Sequence, residues 1–176
     1  SRYSDGPIFC LYHRGEGEGV DIKQPPDIIE IGKGRIVRKG KDLAIFALGT
    51  RVGVALKVAD NLLAEGRSIT VADARFAKPI DTELLEGLWK NHSKLIIREE
   101  GSVGGFSSHC LHFLSSKGVL NNGNKEIRCL TMPDYFQDHA SQNEQLAKAG
   151  LDVVGLANII KEMLPLSKLN NDMAVK

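Results

Sequence analysis

The sequence has 176 residues, of which 42% are hydrophobic and 26% charged, and this suits one globular domain with an appendage at either end. With a formal net charge of +1, nothing in the sequence suggests the strongly basic tail of a nucleic-acid-binding protein or the basic helix of a membrane-surface protein. The three cysteines are widely spaced without a CxxC pair, which favours reduced thiols, and no apolar run approaches the roughly 20 residues that span a membrane.

The N-terminal part of the sequence predicts strands and a linker. The apolar stretch 8–12 predicts a short strand, whereas Pro25 and Pro26 mark a linker that neither a helix nor a central strand would cross. Two further strands are expected within 28–48, and the second of them, 43–48, is apolar throughout, as in a parallel sheet covered on both faces. Because the sequence starts without a methionine and runs from a turn directly into a strand, we expect it to be a piece of a longer chain.

Helical and strand patterns alternate through the rest of the sequence. The expected elements in chain order are a helix at 52–64, a strand at 69–72, a helix at 82–91, a strand at 95–97, a helix at 106–117, a strand at 126–130, and two last helices that end near 150 and 164. Helix caps are expected at Asp81 and Asp152, and a capping box at Ser141 with Glu144. This alternation predicts an α/β fold with an open, mostly parallel sheet and helices on both faces.

A buried strand is expected to end shortly before Arg75. In open α/β sheets, ligands bind beyond the carboxyl ends of the strands, so this guanidinium is expected in the crevice at that edge, near loop 98–105. The planar fork of arginine matches a phosphate or carboxylate group in two hydrogen bonds. The alternative is a structural ion pair with Asp73 or Glu99. The residues alone leave both interpretations open.

A second arginine stands in the segment YHRGEGEGVD, residues 12–21. Arg14 follows the first predicted strand, and glycines at positions 15, 17 and 19 would let the backbone approach a ligand or a neighbouring chain. The spacing matches neither a Walker loop nor a Rossmann fingerprint. Arg14 is therefore a candidate second anion ligand, and the alternative is a solvated arginine in a glycine-rich linker.

Two other groups of side chains have both functional and structural interpretations. Glu99 and Glu100 stand at a strand end, where carboxylates can act in acid–base chemistry, cap the next helix or pair with Arg75. His109 and His112 are three positions apart on a predicted helix, a spacing that can bind a metal ion. No third ligand lies at a convincing distance in the sequence, so we expect no metal site there.

Six segments occur in a specific order and spacing, namely LYHRGEGEGV, EIGKGRIVRKG, LGT, VADARFAKPID, EEGSVGGFSSH and MPDYFQDHASQNEQLAKAGLD. Together they resemble the C-terminal part of the 1-deoxy-D-xylulose-5-phosphate synthase family of the transketolase superfamily. The resemblance runs from about residue 6 to residue 164, and its most specific pieces are ARF-KP-D and GGF-SH. It implies a transketolase C-terminal domain-like fold.

The resemblance also implies an activity for the complete enzyme. Enzymes of this family use thiamine diphosphate and Mg²⁺ to decarboxylate pyruvate and to join the two-carbon unit to D-glyceraldehyde 3-phosphate. The product, 1-deoxy-D-xylulose 5-phosphate, feeds non-mevalonate isoprenoid, thiamine and pyridoxal biosynthesis. The family's metal motif, catalytic histidines and cofactor-activating glutamate lie upstream of the matched region. We therefore expect no catalytic residue, cofactor or metal in this chain, which should be inactive alone.

Three residues acquire substrate roles through the resemblance. Arg14 matches the arginine of the family's Y-P-R-G segment and Arg75 that of its D-x-R-F segment, and both would hold the substrate phosphate. Asp21, seven positions beyond Arg14, would lie near the acceptor substrate. His13 stands where the family has proline, so the backbone before Arg14 is no longer fixed at a φ of about −65°.

The resemblance further implies a domain organisation. Residues 1–27 would be the end of the pyrimidine-binding domain and a linker, 28–165 the transketolase C-terminal domain, and 166–176 a frayed tail. The complete enzyme would be a homodimer in the bacterial cytoplasm, or in the plastid of a plastid-bearing eukaryote, without a nucleic-acid or membrane partner. Alternatives are the C-terminal domain of pyruvate dehydrogenase E1β or of transketolase proper, and a stand-alone non-catalytic dimerisation module.

Overall fold

The computed structural model of the protein describes residues 6–10, 12, 21, 25, 27–121 and 123–165. The strands in this part of the chain are β1 (Arg35–Arg38), β2 (Leu43–Ala47), β3 (Ile69–Asp73), β4 (Lys94–Ser102) and β5 (Glu126–Met132). The helices are α1 (Arg51–Leu63), α2 (Thr82–Asn91), α3 (Phe106–Ser116), α4 (Gln142–Lys148) and α5 (Val153–Met163), with a 3-10 turn at Val119–Asn121. None of these helices is long and apolar enough to span a lipid bilayer.

The strands form one five-stranded sheet in the order β1-β3-β2-β4-β5. β2 pairs in parallel with both β3 and β4, and β4 pairs in parallel with β5. β1 runs antiparallel along β3 at one edge of the sheet. Parallel strands need a crossover between them, and here helices provide it. The predicted α/β fold with an open, mostly parallel sheet is confirmed.

Two hydrophobic cores lie on opposite faces of the sheet. Leu43 and Ile45 of β2 pack with α1 and α5, whereas Ala44 and Phe46 pack with α2 and α3. Successive side chains of a strand point to opposite faces, and both faces are covered here, so every residue of β2 is buried. The prediction of helices on both faces is therefore confirmed.

The predicted helix starts are confirmed at three positions. The carboxylates of Asp81 and Asp152 each accept a backbone N–H from the first turn of α2 and α5, respectively. Ser141 and Glu144 form the expected capping box at the start of α4. These caps satisfy donors that have no partner within the helix, so a short polar sequence signal is enough to predict them.

The predicted end of β4 at residue 97 is wrong. The strand continues to Ser102, which lies opposite Met132 of β5 after an irregularity in the register. Pairing with β5 gives the backbone hydrogen-bond partners beyond the apolar stretch that the sequence pattern detects. Glu99 and Glu100 are therefore strand residues, and the loop between β4 and α3 is shorter than the predicted loop 98–105.

The strand predicted at 8–12 is also wrong for its described residues. Ile8, Phe9, Cys10 and Tyr12 are exposed and belong to no strand, and Leu11 lies outside the described residues. The described sheet consists of β1 to β5 alone, and these residues pair with none of its strands. The frayed tail predicted at 166–176 lies outside the described residues as well.

Candidate functional site

The loops after β2, β3 and β4 lie at one edge of the sheet, because these strands are parallel. β1 runs the opposite way, so its first residue, Arg35, lies at this same edge, opposite Asp73 at the end of β3. The anion-ligand candidates in the sequence, Arg14 and Arg75, both follow predicted strands, and Arg35 at a strand start is not among them. No local pattern would have found it, because the pairing of β1 with β3 depends on tertiary structure.

Arg75 lies two residues beyond the end of β3 and adopts a left-handed backbone conformation, with a φ of 58°. Its backbone N–H donates a hydrogen bond of 3.1 Å to Oδ1 of Asp73. Its Nε lies 3.9 Å from Oδ2 of Asp73, and its side chain is 27% exposed. The ion pair with Asp73 that the sequence allowed therefore exists, but its distance is at the upper limit for such a contact.

Asp73 also contacts Arg35 across the β1–β3 ladder. Nε of Arg35 donates to Oδ2 of Asp73 at 3.3 Å, and the Arg35 side chain is 58% exposed. Two guanidinium groups thus lie beside one carboxylate at the carboxyl edge of the sheet. The arrangement carries an excess positive charge and is suited to an anionic ligand.

Two other predicted substrate contacts have no described contact with this cluster. Arg14 lies outside the described residues. Asp21 is described and exposed, and no hydrogen bond or ion pair joins it to another described residue. Their substrate roles therefore remain predictions.

Glu99 is buried and caps the first turn of α3. Its Oε2 accepts the backbone N–H of Phe106 at 3.0 Å. Its Oε1 accepts the backbone N–H of Ser107 at 2.7 Å and the hydroxyl of Ser107 at 2.8 Å. A Cβ atom on Gly105 would lie 2.4 Å from Oε2, so the carboxylate needs the space that this glycine leaves. These contacts favour the capping interpretation of Glu99 over acid–base chemistry.

Glu100 connects β4 with two helices. Its Oε2 accepts the hydroxyl of Thr50 at 2.8 Å and lies 3.3 Å from Nη2 of Arg51 at the start of α1. Its Oε1 accepts Nε2 of Gln142 at the start of α4 at 2.7 Å. A carboxylate with these contacts on both oxygens is fixed in place, which favours a structural role.

Two buried arginines, Arg51 at the start of α1 and Arg98 in β4, share one backbone acceptor. Nη1 of Arg51 donates to the carbonyl oxygen of Leu151 at 3.3 Å, and Nη2 of Arg98 donates to the same oxygen. Arg98 is fully buried, and its Nε and Nη1 have no partner among the described residues. Burial and the charge of Arg51 lower the pKa of Arg98 to about 10. The charge of Asp152 acts in the opposite direction but is the smaller effect. At neutral pH Arg98 therefore remains a buried cation.

The described residues offer no metal centre, and the environments of Cys110 and Cys129 disfavour an activated thiol. No group of three or more His, Cys, Asp and Glu side chains among them could hold a metal ion. His109 and His112 lie on α3 without such partners. Burial raises the pKa of the Cys110 and Cys129 thiols, which disfavours the nucleophilic thiolate.

Comparison with known proteins agrees with this architecture. A family model described as "Transketolase, C-terminal domain" matches residues 32–156, which include the sheet and the Arg35, Asp73 and Arg75 cluster. A solved structure described as "Split gene transketolase, inactive beta4 tetramer" is similar, with a TM-score of 0.69 and 28% sequence identity. The similarity covers 81% of this chain and 46% of that one, so this chain spans less than half the length of that protein. The chain belongs to the transketolase C-terminal domain family.

Proposed function

We propose that the chain is the C-terminal part of a 1-deoxy-D-xylulose-5-phosphate synthase, a thiamine-dependent transferase that condenses pyruvate with D-glyceraldehyde 3-phosphate and releases CO₂. In this proposal the chain binds the phosphate of glyceraldehyde 3-phosphate and provides domain and subunit contacts, and it is inactive alone. The family match supports the superfamily. The ordered sequence segments, with VADARFAKPID as the most informative, support the synthase.

The observation that carries the proposal is the state of the Arg75 side chain. Its backbone is held by Asp73, yet its guanidinium makes only the 3.9 Å contact with that carboxylate. The Nη donors of Arg75 have no partner among the described residues. An arginine that served the fold alone would be expected to use an Nη donor as well, as Arg67 does when its Nη1 donates to Glu65 at 2.7 Å.

Phosphate binding by Arg75 would contribute to the reaction by positioning the acceptor. Each hydrogen bond between a guanidinium and a phosphate is worth roughly 1.5–3 kcal/mol. Because the phosphate is remote from the reacting carbonyl, this binding energy can orient the aldehyde for attack. Arg14 is proposed as a second phosphate ligand and Asp21 as a contact to the acceptor.

The transketolase family generally depends on thiamine diphosphate, which supplies the nucleophilic carbon that carries the two-carbon unit. The metal-ligand set that Mg²⁺ requires is not found among the described residues of this chain. We assign cofactor binding and the chemical steps to residues upstream of the matched segments, as the resemblance to the synthase family implies. The described residues act on the acceptor, by binding its phosphate and by excluding other orientations. The complete enzyme is proposed to be a cytoplasmic homodimer.

A second candidate is a transketolase C-terminal domain that serves assembly more than substrate binding. The observation that favours it is the structural similarity to a split-gene transketolase described as an inactive tetramer. The two candidates differ in their reactions. The synthase forms 1-deoxy-D-xylulose 5-phosphate from pyruvate and releases CO₂, whereas a transketolase transfers a two-carbon unit from a ketose phosphate without decarboxylation.

The proposal is tested by Arg75→Ala in the complete enzyme. We expect the KM for glyceraldehyde 3-phosphate to rise about tenfold or more, because charge-assisted hydrogen bonds to the phosphate are lost. Binding of thiamine diphosphate should persist, and the KM for D-glyceraldehyde, which lacks the phosphate, should stay the same. An unchanged KM for glyceraldehyde 3-phosphate would refute the assignment of Arg75.

A further inference from the structure

The geometry at the carboxyl edge of the sheet points to a further substrate-binding residue, which no sequence motif indicates. We propose that Arg35 is a further guanidinium ligand of the phosphate group, in addition to Arg75 and the proposed ligand Arg14, and that Asp73 holds the Arg35 and Arg75 side chains in place until the phosphate enters. This inference rests on the proposed function and adds a specificity determinant to it. The ligand is a phosphomonoester dianion.

The first support is the shared contact with Asp73. Nε of Arg35 lies 3.3 Å and Nε of Arg75 lies 3.9 Å from the same oxygen, Oδ2 of Asp73. Each guanidinium uses only its Nε in this contact, and the Nη atoms of both have no partner among the described residues. Two sets of free, forked donors therefore lie within reach of one position, which is the pattern that a phosphate group requires.

The second support is the local charge. Among the described residues, Arg35 and Arg75 are balanced only by Asp73, which leaves one positive charge in excess. The neighbouring carboxylate of Asp81 is committed to the backbone N–H groups of Gly34 and Leu84, at 2.9 Å each. The exposed Glu83 of α2 pairs with Lys33 at 2.7 Å. Because these two charges cancel, the excess positive charge of Arg35 and Arg75 is unchanged. An anion is thus expected to bind here without first having to displace another carboxylate.

The third support is that the backbone before Arg35 is fixed. A Cβ atom on Gly34 would lie 2.7 Å from the carbonyl oxygen of Asp73, so only glycine allows the start of β1 to approach the end of β3 this closely. Gly32 has a φ of 74°, and a Cβ atom on it would lie 2.9 Å from Cγ of Pro79. Together with the bond from Gly34 to Asp81, these contacts fix the position from which the Arg35 side chain extends. A fixed origin reduces the entropy lost when a ligand is bound.

The exposed character of the Arg35–Asp73 pair agrees with a ligand role. Arg35 is 58% exposed, and surface ion pairs of this kind contribute little to stability. The pair can therefore be given up when a doubly charged phosphate offers more acceptors than one carboxylate oxygen. Arg35 would then turn from Asp73 to the phosphate at small cost, while Asp73 keeps its bond to the Arg75 backbone.

The experiment uses the complete enzyme with Arg35→Met, which keeps the aliphatic stem and removes the charge. The KM for glyceraldehyde 3-phosphate is expected to rise about three- to tenfold, and the KM for unphosphorylated D-glyceraldehyde to stay the same. Arg35→Lys should recover part of the difference, since it restores the charge without the fork. Arg38→Met is the matched control, because Arg38 is on the same strand, pairs with Asp60 and should leave both values unchanged.

The outcomes separate the inference from the proposed function. A rise in the KM for the phosphorylated acceptor with both Arg75→Ala and Arg35→Met supports both. A rise with Arg75→Ala alone overturns the role of Arg35 and leaves the proposed function standing. Equal effects of Arg35→Met on both acceptors would mean a structural role and would also overturn it. If neither variant changes the KM for the phosphorylated acceptor, both the phosphate site at Arg75 and the role of Arg35 are refuted.

Discussion

Oδ1 of Asp73 accepts the backbone N–H of Arg75 at 3.1 Å, and this bond closes a tight turn in which Arg75 has a φ of 58°. The backbone of a non-glycine residue is strained in this left-handed region. Such strain persists only where contacts with the surrounding structure stabilise the conformation. Here the turn directs Arg75 back over the carboxyl edge of the sheet, where Arg35 already lies. The strained conformation and the placement of the guanidinium therefore have one cause, the carboxylate at the end of β3.

The strain at Arg75 predicts a difference between two variants that both lose the guanidinium. Arg75→Gly should be more stable than Arg75→Ala by about 0.5–1 kcal/mol, because only glycine adopts a positive φ without a steric cost. Denaturant unfolding of the two variants measures this difference. Their KM values for glyceraldehyde 3-phosphate should be the same, since neither has the donors. A more stable alanine variant would show that Arg75 is not held in the left-handed conformation.

The capping role of Glu99 predicts a loss of stability without a direct loss of chemistry. Glu99→Gln replaces one acceptor oxygen by an NH₂ group that faces backbone donors of α3, and we expect a loss of about 2 kcal/mol in the free energy of unfolding. Glu83→Gln is the control, since the Glu83 side chain is 82% exposed and its loss should change little. If Glu99→Gln leaves stability intact but lowers kcat, the acid–base interpretation is right and the capping role is wrong.

The sequence predicted features that depend on neighbouring residues. It did not predict features that depend on contacts between distant parts of the chain. The caps at Asp81 and Asp152 were predictable because a carboxylate and the N–H groups it accepts are three residues apart. The position of Arg35 was not, because it depends on β1 passing β2 to pair antiparallel with β3. The late end of β4 was missed for the same reason, since pairing with β5 extends it into polar residues.

Two helical glycines predict opposite effects of the same substitution. Gly87→Ala in α2 should stabilise the protein by roughly 0.5–1 kcal/mol, because nothing lies within 4 Å of the added Cβ and alanine is the better helix former. Gly155→Ala in α5 should destabilise it by roughly 1–3 kcal/mol, because the Cβ would lie 2.3 Å from the carbonyl oxygen of Gly150. Thermal unfolding of both variants is the measurement. Stabilisation by Gly155→Ala would contradict the close approach of α5 to Gly150.

The buried cation Arg98 predicts that a hydrophobic replacement will stabilise the protein. Its Nε and Nη1 have no partner among the described residues. The Leu151 carbonyl that accepts Nη2 of Arg98 also accepts Nη1 of Arg51, at 3.3 Å. Arg98→Met therefore removes a desolvated charge without leaving that carbonyl unpaired. We expect a gain of about 1–3 kcal/mol in the free energy of unfolding, measured with denaturant at neutral pH.

Arg67→Met is the matched control for this prediction. Arg67 is also buried, at 4% exposure, but its Nε donates to the Leu164 carbonyl at 3.1 Å and its Nη1 pairs with Glu65 at 2.7 Å. Removing this guanidinium leaves the buried carbonyl without its donor, so Arg67→Met should lower stability where Arg98→Met raises it. Opposite signs for the two variants would establish that pairing, and not burial alone, decides the cost of a buried arginine in this fold. A loss of stability with Arg98→Met would mean that its free nitrogen atoms have acceptors, such as buried water, in solution.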